Sequence, residues 1–101
     1  MKIAYHVTPK DNLNSIKEKG IEARMPEADG DLAISLFISK EEARIQTEKW
    51  LRKKYHNKEL ILISINIDNI NLIETFPFEL ITTDIFIIKP ELIVSIENFN
   101  E

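Results

Sequence analysis

Three short segments hold the side chains with the greatest chemical reach: Tyr5-His6-Val7-Thr8-Pro9, Leu36-Phe37-Ile38-Ser39 and Glu79-Leu80-Ile81-Thr82-Thr83-Asp84. A neutral imidazole offers one donor and one acceptor, which suits a hydroxyl partner that does both. A phenylalanine ring offers a flat face, and a carboxylate offers a negative charge with two acceptor oxygens. Other chemistries fall away for want of residues. The absence of cysteine removes disulfides, thiolate nucleophiles and sulfur-ligated zinc. There is no G-x-x-x-x-G-K-[ST], no G-x-G-x-x-G, no H-E-x-x-H and no nucleophile elbow, and the chain has only 2 glycines with which to cradle a phosphate. Neither His6 nor His56 has a second ligand at i,i+4 spacing, so no metal site is expected.

Taken in order, these segments resemble the ADP-ribosyltransferase superfamily. The likeness extends over nearly the whole chain: a Y-H-x-T-P strand and helix start, an x-L-F-x-S strand followed by an E-E-A helix, an isoleucine-rich strand, and an E-L-I-T-T-D segment before the last strand. The order matches the histidine, tyrosine, glutamate arrangement of that superfamily's NAD-binding cleft, which its RNA 2′-phosphotransferase relatives also use. The resemblance implies that His6 hydrogen-bonds a ribose hydroxyl, with Thr8 beside it on the rim of the first strand. It puts Phe37, or else Leu36, where the family often has a tyrosine that stacks on nicotinamide, and Ser39 next to that cofactor site. Phe37 keeps the stacking face and loses the hydroxyl. Glu79 takes the place of the catalytic glutamate, which orients the nicotinamide ribose and stabilises the oxocarbenium-like sugar. NAD would be the substrate, and His6, Phe37 and Glu79 would line one cleft.

Each of these residues also has a purely architectural reading. His6 can satisfy a buried backbone group, Phe37 can be a core phenylalanine, and Glu79 can be an exposed strand end. Thr82, Thr83 and Asp84 read as a turn whose side-chain oxygens satisfy backbone groups, so Asp84 is not assigned to catalysis.

The elements that must position these side chains are legible from periodicity. Residues 3–7 form a short apolar strand ending at Thr8-Pro9, where Thr8 is the expected N-cap of a helix with Asp11 in a capping-box variant. Leu13 and Ile16 follow at helical spacing, and Gly20 is placed to end the helix. Residues 21–31 read as a loop. Residues 32–38 alternate with apolar side chains on both faces, as in a central strand. Ser39-Lys40-Glu41-Glu42 is a full capping box opening a helix over residues 40–55, with Ala43, Thr47, Trp50, Leu51 and Lys54 as its inward stripe and Trp50 in the core. Residues 60–67 give the strongest strand pattern, and residues 72–73, 78–82, 84–88 and 92–96 follow as shorter strands, the last two parted by Lys89-Pro90. Two helices in the first half and about six strands in all predict an α+β fold, a compact ADP-ribosyltransferase-like mixed sheet, rather than a repeating parallel unit.

Composition bounds the remaining choices. The 101 residues, 44% hydrophobic and 30% charged, predict one domain over residues 1–101 that can fill a core without covalent staples. No signal peptide or membrane span is visible, so a cytoplasmic location and no membrane partner are expected. A net charge of −4 makes nucleic acid an unexpected partner. The local exception, Lys49, Arg52, Lys53, Lys54 and Lys58, reads as the solvated basic end of the second helix. Three functions fit these observations: a mono-ADP-ribosyltransferase acting on a macromolecular acceptor, a non-catalytic nucleotide-binding or protein-docking module of the same fold, and an RNA 2′-phosphotransferase-like enzyme. Phe37 and the short chain favour the second, while the third needs a cationic grip that only the segment from Lys49 to Lys58 offers.

Overall fold

Strand β4 (Leu60–Asn66) is buried through Ile65 on both faces, as its run of leucine and isoleucine requires, and it is paired along its length by β1 (Ile3–Pro9). The computed structural model describes residues 1–23, 34–82, 85 and 87–99. Around this pair it builds a six-stranded sheet with β3 (Ser35–Phe37), β5 (Leu72–Phe76), β6 (Glu79–Thr82) and β8 (Ile93–Asn98), in the order β5-β6-β3-β1-β4-β8. Two further strands, β2 (Ile21–Glu22) and β7 (Ile87–Ile88), pair with each other. The expected α+β fold of about six strands with two helices is present, and all five pairings in the large sheet are antiparallel.

Alternation along β1 and β4 divides the core in two. Ala4, Ile61, Ile63 and Ile65 face one side, where Ile16 of helix α1 (Leu13–Lys19), Ile21 of β2 and Ile88 of β7 close over them. Val7, Leu60 and Leu62 face the other and pack with Phe37, Phe99 and Ala43 of helix α2 (Lys40–Gln46). The second helix continues from α2 through a π-helical turn (Thr47–Leu51) into α3 (Arg52–Lys54).

Three local expectations change. The β1 strand runs on to Pro9, because Pro9 pairs with Leu60 and the Lys10 N–H donates to the Glu59 carbonyl at 2.8 Å. A 3-10 turn (Lys10–Asn12) then leads into α1, so Thr8 is a strand residue and not a helix cap. Ile21 and Glu22, read as the start of a loop, form β2, while residues 24–31 and 32–33 lie outside the described residues. Gly20 permits this: its φ of 91° and ψ of −169° belong almost solely to glycine, and they turn the chain directly from α1 onto β7. Finally, Trp50 is 66% exposed, not core. The wider i→i+5 winding of the π turn carries Trp50 off the inward stripe of Ala43 and Thr47 and leaves Leu51 part-buried against the core. Ser39 does cap α2 as the S-x-x-E pattern predicts, its Oγ accepting from the Glu42 N–H at 3.0 Å.

Two predictions follow from these backbone devices. A Cβ at Gly20 would stand 2.1 Å from the Ile88 carbonyl oxygen, in addition to the disfavoured φ. Gly20→Ala should therefore cost about 2 kcal/mol or more and lower Tm by about 10 °C in a calorimetric melt. Thr47 is fully buried and its hydroxyl has no hydrogen-bond partner. Thr47→Val keeps the branched shape, removes that orphan, and should raise stability by about 1 kcal/mol in the same assay.

Candidate functional site

Among the described residues the ladder between β1 and β3 is a single pair, Tyr5 opposite Phe37, whereas β1 and β4 share seven. The sheet thus has a seam between its two halves, next to the first of the motifs. On the far side of β3 the Thr82 N–H donates to the Ile34 carbonyl and the Ile38 N–H to the Phe78 carbonyl. In an antiparallel strand alternate residues aim their polar groups at the same neighbour, so the Ser35 carbonyl faces β1. There it is met by a side chain: His6 Nδ1 lies 3.1 Å from the Ser35 oxygen.

A carbonyl can only accept, so Nδ1 carries the hydrogen and Nε2 of a neutral ring is left as an acceptor. Burial of the ring pushes the His6 pKa below its usual 6.5, outweighing the opposing pull of the Ser35 hydrogen bond. The imidazole is therefore neutral at pH 7. His6 does satisfy a backbone group, as its architectural reading requires, and the Nδ1–H bond at the same time orients the ring.

Phe37 and Glu79 are brought together directly. They are opposite each other in the β3–β6 ladder, so Tyr5, Phe37 and Glu79 form a row across three strands on the α2 side of the sheet. Glu79 is the first residue of β6 and is half-buried; its Oε1 accepts from the Thr75 hydroxyl at 2.8 Å, across a bulge in the β5–β6 hairpin. Tyr5 belongs to the row although sequence reasoning passed over it, because its partnership with Phe37 depends on a register that periodicity does not contain.

Several expectations need correction. Phe37 is only 9% exposed and is packed with Val7, Ala43 and Leu60, flanked by Tyr5 and Phe78, so its ring is core and offers no open stacking face. Leu36, the other candidate, is fully buried in the opposite core. The pleat turns His6 to the α1 side of β1, with Ala4 and Thr8, and away from Phe37 and Glu79, so these three do not line one face. Thr8 is buried, and its Oγ1 accepts from Asn12 Nδ2 at 2.9 Å, fastening the strand to the turn that follows. The Ser39 hydroxyl is likewise engaged as the cap of α2. Thr82 is the last paired residue of β6 and not a turn residue, but its hydroxyl does satisfy backbone groups: its Oγ1 accepts from the Ile34 N–H at 3.0 Å and donates to the Ile85 carbonyl at 3.3 Å. Thr83 and Asp84 lie outside the described residues.

Two open surface grooves lie elsewhere. One is lined by Lys10, Asp11, His56, Asn57, Lys58 and Glu59, the other by residues of α1, β4 and β8, and neither includes His6, Phe37 or Glu79. In the first, Lys58 pairs with Asp11 at 2.6 Å. Among the described residues no group of histidine and acidic side chains is arranged to hold a metal ion, and no helix is long and apolar enough to cross a membrane. No protein-family model matches the chain, and no curated protein matches it in sequence.

The His6 geometry generates a pH prediction. With its folded pKa below 6.5, the unfolded chain binds more protons than the folded one between those two values. Stability from this residue is thus complete above about pH 6.5 and declines as pH falls toward the lowered folded pKa. Thermal melts from pH 7.5 to 5.5 should show Tm falling in the natural protein, and His6→Gln, whose amide can still donate to Ser35, should be measurably flatter over that range.

Proposed function

We propose that the protein is an NAD-binding, mono-ADP-ribosyltransferase-like domain that transfers ADP-ribose to a macromolecular acceptor. The observation that supports this reading best is the neutral His6 imidazole, pinned through Nδ1–H to Ser35 at the seam between β1 and β3. Its Nε2 is an acceptor for a ribose hydroxyl, a role a protonated ring would lose. Glu79, steadied by Thr75, is on the strand next to β3 but on the opposite face of the sheet from His6, so the two side chains do not converge on one ribose in this geometry. In the reaction the bond from ribose C1′ to the nicotinamide nitrogen breaks, and nicotinamide departs neutral with the electron pair. The acceptor nucleophile bonds to C1′ and releases its proton; a carboxylate offsetting the positive charge on the sugar would have to be Glu79, reached from the face opposite His6.

A second reading is favoured by a different observation. Phe37 is sealed in the core, which leaves the stacking role unfilled and fits a nucleotide-binding or protein-docking module that has no turnover.

Incubation with NAD, followed by mass spectrometry for free nicotinamide and for ADP-ribose on protein or nucleic acid, separates the two. Transfer should be seen, and Glu79→Gln should slow it on the order of a hundredfold while changing NAD affinity little, since the charge matters most in the transition state. Nicotinamide release that survives Glu79→Gln overturns the catalytic role of that residue. Calorimetric binding of NAD or ADP-ribose with no release establishes the second reading.

A further inference from the structure

Trp50 is the sole tryptophan of the chain and is 66% exposed in the middle of its longest helix. Burying an indole is strongly favourable, so an indole held out by a π turn, a feature frequent at functional sites, calls for a partner. Its surroundings indicate which. Lys49 precedes it, and Lys53 and Lys54 follow at i+3 and i+4, the positions that neighbour it on a helix surface; all three are exposed. Lys54 Nζ lies 5.3 Å from the centre of the Tyr55 ring. Glu48, the nearest acid in the sequence, is engaged by Arg52 at 3.2 Å. Among the described residues Lys49 and Lys53 form no ion pair. An exposed indole with Lys53 and Lys54 a turn along the helix and Lys49 on the adjoining face therefore stands on a chain whose net charge is −4.

We propose that this face binds single-stranded nucleic acid, with a base stacked on Trp50 and the flanking phosphates held by Lys49, Lys53 and Lys54. An unstacked base has a flat π-face for the indole, and the phosphates on either side of it match the charge around the ring. An acidic protein segment would meet the lysines but would leave the indole without a flat partner. A duplex would present phosphates but no free base face. The proposal is independent of any chemistry at the seam and holds whether or not NAD is bound or cleaved.

The lone tryptophan makes the test direct. Titration of the full chain with oligothymidylate and with oligouridylate at low salt should quench its fluorescence, because stacking places a base against the only indole. Anisotropy of the labelled oligonucleotides should give an affinity that falls with salt, with a log–log slope of about −2 for three lysine contacts to a single strand. Trp50→Ala should weaken binding about tenfold or more, Trp50→Phe should restore part of the loss, and Lys49→Gln with Lys53→Gln should lower both affinity and slope. Ile73→Ala, an exposed residue on β5, should change neither. Circular dichroism melts verify that each variant is folded. Binding by one oligonucleotide and not the other supports the proposal, and oligodeoxyuridylate then separates the sugar from the thymine methyl as the cause. Absence of binding by both, binding unchanged in folded Trp50→Ala, or equal competition by polyglutamate overturns it.

Discussion

Among the described residues β1 is held by seven paired residues on one side and by one on the other, and this inequality organises the molecule. The full ladder with β4 makes a rigid two-stranded unit whose alternate side chains feed separate cores, Ala4 one and Val7 the other. At the contact with β3 the Ser35 carbonyl faces β1, where it meets the His6 ring. The ring donates to that carbonyl through Nδ1, and desolvation of the ring favours the neutral form against the opposing pull of that hydrogen bond.

The two faces of the sheet are covered by different means. On one side a short helix and a two-stranded ribbon share the work, and the ribbon exists because Gly20 lets the chain reverse against Ile88 without a connecting loop. On the other side a single longer helix lies over Val7, Phe37 and Leu62, and its π turn trades a buried tryptophan for a part-buried leucine. The exchange leaves the Thr47 hydroxyl unpaired inside and an indole outside.

Much of this architecture was legible beforehand, because period-2 alternation at residues 3–7 and 60–67 and the Ser39 capping box are local signals that the fold obeys. What escaped was non-local. Nothing near Thr8 announces that β1 extends to meet Leu60, and Ile21-Glu22 is a strand only because Ile87-Ile88 is available to pair with it. Trp50 fitted an ordinary 3.6-residue period and was displaced by a winding that side-chain type does not encode. The candidate site was readable as a set of residues but not as a geometry. His6, Phe37 and Glu79 were identified by type and order, whereas the face each one occupies depends on where β1, β3 and β6 come into register, and that puts Tyr5 beside Phe37 in place of His6.

The central position of β1 also has a consequence for how the chain is made. Its partners lie in β3 (35–37) and β4 (60–66), both later in the chain, so β1 is synthesised well before the neighbours it pairs with. At synthesis rates of about 5–20 residues per second, β1 remains without its main ladder for several seconds. Closing a loop of about fifty residues then costs little more than closing one half as long. The full ladder of β1 therefore waits for β4, and until then the apolar residues of β1 lack the partner strand that buries them.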